Sequence, residues 1–478
     1  MSSESQYDAI IVGAGPNGLS AAIRLAQHGA SVLLIEAKDS VGGGTRSGPL
    51  TLPGFVHDYC SAVHPMGALS PYLQSLPLEE YGLKWCYPDA SVAHPLDNGR
   101  AALLSTSMDA TIQSLGPDGE AWKKLVSPFL KAGPPLFEDF LAPFRVPKRL
   151  WTMMRFAWLA FRSAKKLADG RFQSDEAKAL FAGCAGHSIL PLEQRLTAAV
   201  GLVFAISGHL VNWPVAQGGS HAISQSMAQY FQSLGGQIQL NTELRSIGEL
   251  PPTRQILLDL VPKQVIKLCS DVLPAHYLKR LNKYRYGPGT FKMDWALSGP
   301  IPWTAGECLQ ASTVHVGNTL NEICASERDA WKGRHSDNPF LIVCQQSQFD
   351  ATRAPNNQHT GYAYCHVPNG STVDMSHAIE TQIERFAPGF RDLILAKKVT
   401  TPLDFAQYNP GYVGGAITGG AADLGQLFTR PVARFNPYTT PNKQILLCSH
   451  ATPPGGGVHG MCGFYSAGTA LRRLKIKA

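Results

Sequence analysis

Gly13, Gly15 and Gly18, with an acid at Glu36, are the residues of this chain whose spacing most directly implies chemistry. A trio spaced this way can hold a dinucleotide diphosphate. Gly13 permits a tight turn out of a strand. Gly15 lets the backbone approach a phosphate that a Cβ would strike. Gly18 lets the next helix pack closely on its strand. The helix start then presents free N–H groups and a partial positive charge to the anion. A carboxylate at position 36 accepts hydrogen bonds from a ribose 2′-hydroxyl and disfavours a 2′-phosphate, so NADP is not expected here. The elements needed to position these groups follow in order. Ala9 to Val12 form an apolar run. Leu19, Ala22, Ile23 and Ala26 share one helical face. Gly29 stops that helix, and a second apolar run from Val32 to Ile35 delivers Glu36.

A chain of 478 residues, 44% hydrophobic and 16% charged, is long enough for two or more domains and a large core. No run of 18 apolar residues marks a transmembrane helix, and no secretory signal is expected in MSSESQYDAIIV. The ten cysteines include no CxxC pair, which argues against a redox disulfide and a structural zinc site. No metal is expected, and a reducing, cytoplasmic location is. The net charge of +7 is concentrated between Arg145 and Arg171, where eight Lys or Arg accompany one Asp. The rest of the chain is balanced, so nucleic acid is not an expected partner. Trp151, Met154, Trp158 and Phe161 recur in this segment at helical spacing, with Arg155, Arg162 and Lys166 expected on another face. Two readings compete: a helix lying at a membrane headgroup boundary, or a core helix with a solvated basic side.

After Glu36 the chain reads Gly42-Gly43-Gly44-Thr45-Arg46 and Leu52-Pro53-Gly54-Phe55. Its tail reads Pro453-Pro454-Gly455-Gly456-Gly457-Val458-His459-Gly460-Met461-Cys462-Gly463. Together with Cys60 to Pro65, Tyr284 to Trp295, Tyr364 to Gly370 and Ile383 to Phe390, these motifs resemble the phytoene dehydrogenase-related group. That group lies within the flavin amine oxidase and phytoene desaturase superfamily. Within it, the chain is similar to the branch called pyridine nucleotide-disulfide oxidoreductase domain-containing protein 2. The resemblance implies FAD as cofactor. The paired glycines would cover its diphosphate and ribityl chain, and the tail helix would face the pyrimidine edge of the isoalloxazine. Where many members carry an acid for the ribityl chain, this chain has Cys448-Ser449-His450. The candidate cofactor-binding residues are Gly13, Gly15, Pro16, Asn17, Gly18 and Glu36, then Gly42, Gly43, Gly44, Thr45 and Arg46, and finally Leu244, Gly457, Val458 and Met461.

The expected fold is α/β: a doubly wound, Rossmann-like FAD-binding domain built from discontinuous segments, plus an α+β substrate domain. The FAD domain is expected at 1–75, 213–265 and 436–478. A helical insert (76–212) and a mixed insert (266–435) would make the substrate domain. Expected strands include 237–240, 242–247 and 255–261. No second GxGxxG follows a strand, which argues against a separate NADPH domain. No residue identifies itself as catalytic; His64, Lys292 and His459 are candidates for a polar assistant beside the flavin, and Lys292 resembles the lysine that holds a water in amine oxidases. The expected function is an FAD-dependent oxidoreductase moving hydride between an apolar, isoprenoid or polyene-like substrate and flavin N5. The alternatives are a redox-neutral isomerase, an amine-oxidase-like enzyme, or an FAD-stabilised scaffold.

Overall fold

A computed structural model describes residues 6–477. One of its two large sheets has five parallel strands in the order Ile445–Leu447, Thr253–Leu258, Tyr7–Val12, Val32–Ile35, Gln237–Gln239. These strands come from three well-separated stretches of sequence. Most of them read as apolar runs because a covered parallel sheet buries both faces; Ile10, Ile11, Leu34, Leu257 and Leu446 are wholly buried. The helix Pro16–Gln27 returns from the first strand to the second and packs against the last helix, Met461–Leu474. A Cβ on Gly463 would lie 1.8 Å from the Asn17 carbonyl oxygen, so the two helices touch backbone to backbone.

The second large sheet has seven strands in the order Ile394–Thr400, Gly289–Leu297, His359–Val367, Leu341–Cys344, Ala311–Val316, Ala90–Pro95, Ala101–Leu104. All its pairings are antiparallel except that of Ala311–Val316 with Ala90–Pro95. Helices such as Asp175–Gly186 and Thr197–Val211 cover one side of it.

Three local expectations need correction. The stretch 76–212 is not only helical, because it supplies the Ala90–Pro95 and Ala101–Leu104 hairpin. Those strands, ASVAHP and AALL, have little of the β-branched alternation that marks a strand. Residues 242–246 form a loop rather than a strand. Asn241 takes a left-handed conformation (φ +53°), and Thr242 N–H donates to the Glu36 carbonyl instead of to a sheet neighbour. The expected boundary at 265 cuts through packed structure. Val265, Leu268, Tyr277 and Leu281, on the helices Pro262–Leu268 and Ala275–Leu281, share one apolar cluster with Val12, Leu258 and Leu447 of the parallel sheet.

Candidate active site

The carboxyl end of the parallel sheet opens into a cavity of about 640 Å³ that runs on to the face of the seven-stranded sheet. Its first half is built by the loop after Val12. Gly13 has φ +100°, and a Cβ on Gly18 would lie 1.9 Å from the Gly13 carbonyl oxygen, so this turn excludes other residues at both places. Gly15 caps the helix and Pro16 opens it. Glu36 comes off the neighbouring strand and is 9% exposed. Its carboxylate accepts from Ala14 N–H (2.9 Å) and Lys38 N–H (3.0 Å) and pairs with Arg46 (3.3 Å).

Gly13, Gly15, Pro16, Asn17, Glu36, Gly43, Gly44, Thr45, Arg46, Leu244, Gly457 and Val458 all line this cavity. Gly18, Gly42 and Met461 do not; they stand one layer behind its wall. Gly42 N–H donates to the Ala14 carbonyl, and Met461 N–H donates to His459 Nδ1. Arg46 reaches the cavity, but its guanidinium donates to Ser40 O (2.6 and 3.1 Å) and Gly43 O (3.4 Å) besides pairing with Glu36.

A flavin dinucleotide fits these residues on three observations. The helix start faces the cavity with Gly15 at its cap. A Cβ on Gly43 would lie 3.1 Å from Gly15 Cα, so the two glycine loops close on one another. Asn17, 4% exposed, carries a side-chain oxygen with no partner among the described residues.

One group missed in the sequence is Asp259, just after the strand Thr253–Leu258. Its Oδ2 accepts Gly18 N–H at 2.9 Å, and a Cβ on Gly15 would lie 2.8 Å from the same oxygen. Burial raises its pKa to about 7, with Glu36 adding to the rise and the Gly18 N–H opposing it. No motif flags an acid after an apolar strand; only the sheet order brings it to the glycine turn.

The second half of the cavity is apolar and aromatic. Phe204 and Trp213 meet edge to face at 5.2 Å, and Tyr362 and Tyr364 stand 6.3 Å apart. Strand register aligns Thr313, Cys344 and Tyr362 on three neighbouring strands, and all three line the cavity. Burial raises the Cys344 thiol to about 12 and lowers His187 to about 3, so both are uncharged at neutral pH.

Of the three candidate assistants, only His64 reaches the cavity. Ser220 Oγ donates to Ser61 O (2.6 Å) and therefore accepts from His64 Nε2 at 2.7 Å, which leaves His64 Nδ1 as an acceptor, with Ser61 Oγ at 3.5 Å. Burial holds His64 near pKa 4, so it is neutral. Its support is a buried charge cluster. Asp58 accepts from Ser220 N–H (2.7 Å), Ser47 (2.6 Å) and Arg353 (2.8 Å), and Arg353 also holds Asp350 (2.8 Å). Burial alone would raise Asp58; Arg353 and these hydrogen bonds hold it at about 2. Lys292 is withdrawn from the cavity: it is 1% exposed, pairs with Asp294 at 2.5 Å, donates to Asp58 O, and has the Tyr362 ring 4.3 Å from its Nζ. His459 is also withdrawn, because its Nδ1 accepts from Met461 N–H at the start of the last helix.

A family model for an NAD(P)-binding Rossmann-like domain matches residues 11–76. The chain is 26% identical to the mouse pyridine nucleotide-disulfide oxidoreductase domain-containing protein 2, over 98% of this chain and 94% of that protein. It is 25% identical to a lycopene-forming phytoene desaturase of Pantoea ananas, over 96% and 98% of the two chains. A putrescine oxidase solved with putrescine bound shares the fold at a TM-score of 0.60 and 18% identity, over 98% of each chain. The chain is similar to members of the phytoene desaturase and flavin amine oxidase superfamily. These relatives identify an oxidoreductase and point to a cofactor of the flavin type.

Proposed function

We propose that the protein binds FAD non-covalently and moves hydride between an apolar substrate and the flavin N5. The single observation that carries this reading is the continuity of the cavity, from a dinucleotide cradle into an aromatic chamber without ionised groups at its far end. The groups that would hold FAD are the Gly13–Gly18 turn, Asn17 and Glu36, the Gly43–Thr45 loop, Leu244, and Gly457 with Val458. When bound, the flavin supplies the hydride acceptor and so removes the need for a strong acid or base at the reacting carbon. The protein's part is to place and to desolvate. Phe204, Trp213, Tyr362 and Tyr364 exclude water and hold an isoprenoid-like chain. The Thr313, Cys344 and Tyr362 row offers hydrogen-bonding groups at the far end, where a substrate's oxygen would bind. His64 Nδ1 is a neutral acceptor on the cradle side.

Heating the purified protein should release FAD, identified by chromatography. Gly15→Val should remain folded and lose it, because the new side chain would fill the phosphate position and already meets Asp259. Photoreduced enzyme should reoxidise with an added acceptor. A colourless protein, or one whose bound nucleotide is NAD, overturns the reading.

A further inference from the structure

None of the basic segment's residues lines the cavity, yet the segment exposes two tryptophans, a phenylalanine and a methionine. Helix Leu150–Ala160 turns Phe156, Leu159 and Ala160 inward, with Phe156 packed on Phe129 and Phe140 at 5.9 and 4.6 Å. The stripe singled out in the sequence faces the other way: Trp151 is 79% exposed, Trp158 73%, Met154 54% and Phe161 51%. Phe144 (93%) and Val146 (83%), a few residues before the helix in the chain, are exposed as well. The helix packs in the core through Phe156, Leu159 and Ala160, but the stripe itself is on the outside. Single exposed apolar residues need no explanation, but four large ones at helical spacing on one exposed face do.

The cations stand beside the aromatics rather than on an opposite face. Arg155 and Arg162 follow Trp151 and Trp158 by one helical turn, and the Arg162 guanidinium lies 5.6 Å from the centre of the Trp158 ring. Lys148, Arg149 and Lys165 are paired with acids. Among the described residues Arg145, Arg155, Arg162 and Lys166 have no acidic partner. An apolar surface rimmed by unpaired cations is complementary to an anionic bilayer, with tryptophans at headgroup depth and arginines on the lipid phosphates. A symmetric contact between two copies of this patch would bring these cations together without counter-charges.

The patch also lies next to the site. Helix Leu150–Ala160 packs on helix Thr197–Val211, whose Val200 and Phe204 line the aromatic half of the cavity. Phe144 meets Phe428 edge to face at 6.2 Å, and the neighbouring Leu427 lines the cavity.

We propose that the face formed by Phe144, Val146, Trp151, Met154, Trp158 and Phe161 docks on an anionic membrane surface, which delivers apolar substrate to the cavity through the lipid. The docking itself does not depend on the flavin reading, so the two can fail separately.

The test is flotation of the full-length protein with phosphatidylcholine vesicles, with and without phosphatidylglycerol, at low and high salt. The protein should float with anionic vesicles at low salt and be released at high salt. Each cation near the surface contributes roughly fivefold to partitioning, so Arg155→Gln, Arg162→Gln, Lys166→Gln together should weaken it by about two orders of magnitude. Trp151→Ser with Trp158→Ser should weaken binding to the same vesicles while the melting temperature and bound flavin stay unchanged, since neither side chain is packed inside. Wild-type protein that stays in solution with anionic vesicles overturns the proposal. So does a wild-type dimer that the tryptophan variant converts to monomer, because the patch would then be a contact between copies of this chain.

Discussion

Asp259→Asn tests how the cradle treats negative charge. In the structure its carboxyl takes the Gly18 N–H, beside the helix start that would hold a diphosphate. Glu36 is the charged group that acts on it; Cys448 and Cys462 also face it, and burial keeps both thiols protonated. The folded protein holds the Asp259 proton up to about pH 7, against 3.8 for a free side chain. Stability from this group is therefore complete below about pH 4 and is lost as pH rises through 7. At about 1.4 kcal/mol per pH unit the loss is at most about 4 kcal/mol, an upper bound because the side chain borders the cavity and retains some water. Asparagine keeps an oxygen for Gly18 N–H and carries no charge. Between pH 4 and 7 the variant's melting temperature should fall less steeply than that of wild type, and it should exceed wild type above pH 7. Flavin binding should follow the same proton: above about pH 7 the wild-type dissociation constant should rise by up to tenfold per pH unit, and that of the variant should stay flat. Differential scanning fluorimetry and quenching of flavin fluorescence measure the two effects. A flat wild-type profile, or an equal slope in the variant, refutes the reasoning.

Asp58 should produce the opposite profile. Its pKa is held at about 2, so its stabilisation is present above pH 3.8 and disappears as pH falls toward 2, a loss of about 2 kcal/mol that Asp58→Asn should no longer show in acid melts. Lys292→Met should cost about 3–5 kcal/mol in denaturant titration because it leaves Asp294 buried and unpaired. Adding Asp294→Leu should recover much of that loss; a double variant less stable than Lys292→Met would show that the two residues are not coupled through their charges.

What could be read directly from the sequence was the part fixed by local rules. The Gly13–Gly18 turn, the flanking apolar runs and Glu36 form one short unit, and each glycine meets a steric demand within a few residues of itself. The tail motif was legible for the same reason. Asp259 was not, because its role depends on the strand Thr253–Leu258 lying beside Tyr7–Val12, a pairing between distant stretches. The Ala90–Pro95 hairpin was hidden by weak strand propensity that tertiary packing overrides. The surroundings of Lys292 and His459 were not legible because strand or turn membership does not say which neighbour a side chain meets; here Lys292 pairs with Asp294 and His459 accepts from Met461 N–H. The stripe from Trp151 to Phe161 had the right period, but a period locates an apolar face without saying whether protein or solvent covers it.

The backbone contact between Gly463 and Asn17 bears on how the chain reaches its native state. Arg24, on the first helix, donates to the carbonyl of Phe464, 440 positions later. The parallel sheet likewise lacks an outer strand until Ile445–Leu447 arrives. During synthesis, the buried side of Pro16–Gln27 and the outer edge of Thr253–Leu258 must wait, uncovered, until almost the whole chain has left the ribosome. A contact map this non-local implies slow closure and a prolonged need for chaperone protection.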